Sequence, residues 1–186
     1  MKKIVFIIMV VFAFNVNAQT NEGDISLGGG LAIGSGVLPG VGANNSLGLT
    51  AGGYYTILES KLRAGIDFIY YFENKDVDRD FGETITEKLN VFEINLNAQY
   101  IFFEEQDYFI YGIGGINITS LSLDEDYSFG GFDDDSLSST DFGLNIGAGF
   151  EYKISFANLF AEAKYGNLGG DSDQFVFLAG LRFLLK

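Results

Sequence analysis

The chain contains neither cysteine nor histidine. Without thiols there is no disulfide framework and no thiolate zinc site. Without thiol or imidazole, a Ser–His or Cys–His pairing of nucleophile and base cannot be assembled. Carboxylate pairs remain for acid–base work, but no spacing marks one out, so the chain reads as no enzyme. Proline occurs once, against 25 glycines and 19 phenylalanines, a mix that suits glycine-relieved strands better than helices. Basic residues are scarce too: 11 Lys and Arg face 25 Asp and Glu. Such an acidic chain repels phosphate backbones, which excludes nucleic acid as a partner. Its 186 residues suffice for one domain with a core, or for one small barrel.

The first residues, "MKKIVFIIMVVFAFNVNAQT", are read as a targeting segment. Lys2 and Lys3 form a positive start, Ile4 to Phe14 is unbroken apolar sequence, and Val16 and Ala18 are small residues at signal-peptidase spacing. About 11 apolar residues cannot span a bilayer, which needs roughly 20. Residues 1–18 are therefore expected to be a cleaved signal peptide, and 19–186 the mature domain. Loss of Lys2 and Lys3 takes the formal charge from −14 to −16.

From Asp24 onward the sequence alternates. In "NVFEINLNAQYIFF", Phe92, Ile94, Leu96, Ala98, Tyr100 and Phe102 share one parity, and Glu93, Asn95, Asn97 and Gln99 the other. Period two is the mark of a strand with two unlike faces. Eight such segments are expected, near 24–34, 46–57, 62–73, 90–103, 108–121, 141–153, 159–165 and 174–185. In the fifth the parity is ambiguous, since Phe109, Tyr111 and Ile113 compete with Ile110, Ile116 and Ile118. Short links follow the second, fourth and sixth segments. Long ones (35–45, 74–88, 122–140 and 166–173) follow the others. An up-and-down meander of this kind gathers every long loop at one end.

Alternation alone does not say which face is enclosed. The apolar parity carries large side chains that would overfill a small closed barrel. The other parity is rich in Gly, Ser, Thr and Ala, as at Ser26, Gly28, Gly30, Ala32, Gly48, Thr50 and Gly52, where a solvated surface would carry more Lys and Glu. Aromatics cluster at strand ends: Tyr54, Tyr55, Phe102, Phe103, Tyr108, Tyr152, Phe156 and Phe160 beside the short links, and Tyr70, Tyr71 and Phe72 before a long one. Two aromatic belts are expected of a membrane barrel. The expected fold class is all-β, an eight-stranded antiparallel up-and-down transmembrane β-barrel with apolar side chains facing lipid. Closing the sheet pairs every backbone group in hydrocarbon.

With these strands, the Gly-rich "YFIYGIGGINI" and "FGLNIGAGFEYKI", and the final "FVFLAGLRFLLK", the mature chain resembles the outer membrane protein β-barrel family of Gram-negative bacteria, the small eight-stranded OmpA/OmpX-like kind. The resemblance implies export to the cell outer membrane, contact with outer-membrane lipid and lipopolysaccharide, insertion by the barrel-assembly machinery, and a monomer. Members commonly end on an aromatic residue read by that machinery; here Phe183 is followed by Leu184, Leu185 and Lys186. No peptidoglycan-binding module is expected after the last strand. Some barrels of this kind are lipases, acyl transferases or proteases, but these rely on a histidine.

By parity the enclosed charges are Arg63, Lys164 and Arg182 with Asp67, Glu93, Glu151 and Glu162. They are expected to pair into a network that plugs the lumen, because an unpaired ion is costly in a dry interior. Separately hydrated charges in a wet pore are the alternative. In "DVDRDFGETITE", Asp76, Asp78, Asp80 and Glu87 match positions 1, 3, 5 and 12 of a calcium-binding loop. Glycine comes one place late at Gly82, and strands flank the segment, so a solvated acidic loop is expected. "LDEDYSFGGFDDDS" is more acidic still, and either hydration or a divalent bridge to lipopolysaccharide phosphates suits it. The glycine clusters never complete GxGxxG; no cofactor or metal site is expected. Three functions follow in order: a non-enzymatic barrel with a structural or surface-interaction role through its acidic loops, a narrow porin, and a secreted soluble ligand carrier.

Overall fold

The computed structural model describes the backbone of residues 22–36, 45–57, 61–80, 83–127, 136–168 and 174–185; side chains of 45, 73–89, 123–137 and 167–168 lie outside that description, as does the expected signal peptide. Eight strands form one closed antiparallel barrel in chain order. They are β1 (Ile25–Ser35), β2 (Asn45–Ile57), β3 (Leu62–Asp80), β4 (Glu83–Glu104), β5 (Tyr108–Tyr127), β6 (Ser136–Lys153), β7 (Asn158–Leu168) and β8 (Gln174–Leu185). Gly36 follows β1 with φ of 90°, a conformation that favours glycine and turns the chain out of the strand.

The ladder fixes the stagger of the barrel. Stepping between paired residues from Ile25 leads through Tyr55, Ala64, Ala98, Gly114, Ile146, Tyr165 and Phe175, and arrives at Ser35. One circuit thus climbs ten residues along β1, so the strands are steeply tilted.

Orientation follows the parity. Phe142 is 64% and Leu144 57% exposed, and Phe92, Leu96, Phe177 and Leu31 also point outward. Glu93 and Arg182 are 1% and 3% exposed. Burying charge while exposing Phe and Leu inverts a soluble fold and suits a barrel whose solvent is acyl chain. A soluble carrier is overturned by this arrangement. The outer belt includes Tyr55, Phe102, Phe103, Tyr152 and Phe156 toward the short links, and Tyr70 and Phe72 toward the long ones. A register irregularity between Ile101 and Phe103 lets both Phe102 and Phe103 face outward, as a bulge does.

Three expectations need correction. Tyr54, Tyr71 and Phe160 do not join the outer belts; they are buried in the lumen. The segments 74–88 and 122–140 are largely strand, because β3 and β4 pair up to Asp80 and Glu83, and β5 and β6 up to Asp124 and Ser136. Beyond the bilayer both faces of a strand are wet, so there is no apolar alternation to read. The segment with calcium-loop spacing, expected as a solvated loop, lies on paired strands in its described residues, with Asp76 opposite Glu87.

Candidate functional site

The barrel interior is the candidate site. Inward positions come from every strand, and small residues on that face make room for long side chains. Tyr111 pairs with Gly149, where a Cβ would lie 2.3 Å from the tyrosine ring. Tyr54 lies over Gly65 in the same way. Each ring lies flat on bare backbone, which turns its hydroxyl to the axis.

Toward the short-link end, charges condense. Arg63 Nη2 meets Glu151 Oε1 at 2.8 Å, Arg182 Nη1 meets the same oxygen, and Arg182 Nη2 reaches Glu162 Oε1 at 3.1 Å. Asn158 Nδ2 donates to Glu151 Oε2 at 2.9 Å, while Tyr111 Oη and Gln99 Nε2 donate to Glu162 Oε1 at 2.8 and 3.0 Å. Aromatic faces complete the cage. The Arg63 guanidinium lies 4.8 Å from the Tyr111 ring centre and 5.1 Å from that of Phe109, and the Arg182 guanidinium 4.7 Å from those of Tyr54 and Phe160. Stacked, paired guanidinium is the form in which cationic charge is best tolerated in a dry interior.

One level higher, Lys164 Nζ forms an ion pair with Asp67 Oδ2 at 3.5 Å. Tyr54 Oη and Asn97 Nδ2 donate to that same oxygen. Between this pair and the arginine cluster is a cavity, lined by Thr50, Gly52, Asp67, Glu162 and Arg182 among others, with room for about one water molecule.

Toward the long-link end the interior divides. One side is apolar, with Ala32, Ile69, Tyr71, Val91, Val176 and Leu178 in one cluster. The other is an amide cluster. Asn117 Nδ2 and Asn145 Nδ2 donate to Asn95 Oδ1 at 2.8 and 2.6 Å, Thr119 Oγ1 donates to Asn117 Oδ1 at 2.6 Å, and Gln174 Nε2 and Asn117 Nδ2 donate to Glu93. The seven charges are all enclosed, but their ion pairs do not form one chain; Asp67 is linked to Glu93 only through Asn97, Asn145, Asn95 and Asn117. Arg63, Glu151, Arg182 and Glu162 make a continuous chain, Asp67 and Lys164 a separate pair, and Glu93 stands among amides. The ambiguous β5 is resolved with Phe109, Tyr111 and Ile113 inward; with Ile101 they form an apolar floor. Parity had already put Asn95, Asn97 and Gln99 beside Glu93. No charge signal marked Tyr54, Tyr111 or Gln174.

Comparison with known proteins agrees with this architecture. The outer membrane protein beta-barrel domain model matches residues 4–183. Among solved structures, the chain is similar to OprG of Pseudomonas aeruginosa (16% identity, TM-score 0.59, 90% of this chain and 98% of that one). It is also similar to Ail, the attachment invasion locus protein of Yersinia pestis (18% identity, TM-score 0.56, 87% and 99%), and to Neisserial surface protein A (18% identity, TM-score 0.53, 86% and 95%). Comparison with curated protein sequences finds no match. A closed eight-stranded barrel, apolar outside and ionic within, together with a family match across nearly its whole length, leads to one statement: the chain belongs to the outer membrane protein β-barrel domain family and resides in the bacterial outer membrane.

Proposed function

We propose that this protein is a non-enzymatic barrel that serves the envelope through its outer end, as a structural element or a surface for interaction, while its lumen stays closed to solutes. The carrying observation is the Arg63–Glu151–Arg182–Glu162 chain, which crosses the interior between β3, β6, β7 and β8 with every member at 4% exposure or less. Interlocked charges of opposite sign leave little free field or space to pass a hydrated ion. Catalysis lacks support, because the interior offers no imidazole or thiol. The outer end supports the surface role. There β3 to β6 run past the bilayer as paired strands, and Asp76, Glu87 and Glu125 occupy directly paired ladder positions.

The same reading includes removal of residues 1–18, insertion by the barrel-assembly machinery as a monomer, and lipopolysaccharide around the outer rim. The acidic end is set against polyanions; one solved structure of Ail holds a heparin analogue, a ligand this outer end would repel. The test is conductance of the refolded barrel in planar bilayers. The expected result is no steady channel. A stable unitary conductance would replace this reading with that of a narrow pore. N-terminal sequencing of protein from outer-membrane fractions is expected to start at Gln19.

A further inference from the structure

We propose that the lumen cavity is a binding site for one ordered water molecule, which hydrogen-bonds to Glu162 and Asp67 and so joins the two sets of ion pairs. The cavity wall includes Gly28, Thr50, Gly52, Asp67, Glu162 and Arg182. It therefore lies where the Arg63–Glu151–Arg182–Glu162 chain comes nearest the Asp67–Lys164 pair. Glycine at two inward positions, Gly28 on β1 and Gly52 on β2, leaves the space open.

The two carboxylates divide their oxygens alike. Glu162 Oε1 accepts from Tyr111, Gln99 and Arg182. Its Oε2 is buried without a hydrogen-bond partner among the described residues, in a residue 4% exposed. A carboxylate oxygen cut off from bulk water needs a donor, and leaving it without one is costly. Asp67 Oδ2 accepts from Tyr54 and Asn97 and meets Lys164. Its Oδ1 lies over Gly52, 2.3 Å from where a Cβ would stand, and so beside the cavity wall. A water molecule has two hydrogens to give, and the wall offers these two oxygens to take them. The Thr50 hydroxyl, on the same wall, supplies a donor in return. Three polar partners are what a buried water ordinarily has. A metal ion fits worse, because Arg182 shares the wall and both carboxylates already have cationic partners. Beyond Asp67, hydrogen bonds continue through Asn97, Asn145, Asn95 and Asn117 to Glu93. With the water in place, polar contacts run unbroken from Arg63 to Glu93, along most of the lumen.

The test is a crystal structure of the refolded full barrel, grown from rubidium chloride, with data collected at the rubidium absorption edge. A density peak without anomalous signal is expected about 2.8 Å from Glu162 Oε2. No peak in the cavity, or a peak beyond hydrogen-bond reach of Oε2, overturns the proposal. So does an anomalous peak, which would make the occupant a cation. In solution, Gly28→Ala puts a methyl group into the cavity; its Cβ lies 3.1 Å from Leu181 O, a contact that a small shift relieves. Oxygen-17 relaxation dispersion is expected to count one long-lived water fewer in that variant than in the parent barrel. Equal counts overturn the site. The crystal result decides the matter even if the variant fails to refold, and neither readout depends on whether the barrel conducts.

Discussion

The two ends of the lumen treat charge in opposite ways. Near the short links, two arginines and two glutamates share contacts so closely that Glu151 Oε1 serves both guanidinium groups. Near the long links, amides do the bonding and the one carboxylate, Glu93, has no basic neighbour among the described residues. The first arrangement is stiff, because removing any member leaves a desolvated charge. The second is softer, because a neutral amide left without a partner costs far less than an ion. The comparison teaches where a barrel of this size can tolerate change: among its amides before its ions.

Arg182→Ala tests the stiff end most severely. It leaves Glu162 without a guanidinium and Glu151 with only Arg63, and is expected to cost about 3–5 kcal/mol, read as the urea midpoint of the barrel in lipid vesicles. A smaller loss than that of an amide variant would erase the distinction between the ends. Gly149→Ala comes next. A Cβ there lies 2.3 Å from the Tyr111 ring, so the ring must lift and its bond to Glu162 loosen, at about 1–3 kcal/mol in the same unfolding measurement. At the soft end, Asn95→Leu removes the oxygen that accepts from Asn117 and Asn145. Both donors keep a second acceptor, Glu93 and Asn97 respectively, so the expected loss is only about 1 kcal/mol. At the outer hairpins, Glu87→Gln removes one of three acidic residues, Asp76, Glu87 and Glu125, at backbone-paired positions. It is expected to stabilise by about 0.2–1 kcal/mol, with the gain shrinking as salt is added.

Much of this was legible in the residues. Lipid on one side and polar groups on the other make a sharp period-two signal, so the outward faces of β1 to β4 and β6 to β8 follow from alternation. The same signal collected seven of the buried charges, since Arg63, Asp67, Glu93, Glu151, Glu162, Lys164 and Arg182 sit on the small-residue parity, but it did not mark Asp24. It failed where the physics ceases to alternate. β5 floors the lumen with Phe109, Tyr111 and Ile113, so both of its faces are apolar. The outer parts of β3 to β6 are paired strands, but their sequence is polar without apolar alternation and resembles loops. Tyr54, Tyr71 and Phe160 mimic interfacial aromatics, though their neighbours Thr56, Asp67 and Glu162 share the inward face. Partner choice was illegible for another reason. Which carboxylate meets which cation depends on the stagger between strands distant in sequence, and parity carries no information about height.

That stagger has a consequence for assembly. Arg63 and Glu151 are 88 positions apart along the chain, and Arg182 reaches them only from the last strand. Of the four ion pairs in the lumen among the described residues, only Arg182–Glu162 joins neighbouring strands, so a half-built sheet would leave most of these ions without their partners. The pairing of the lumen charges is therefore complete only once β8 has joined the sheet.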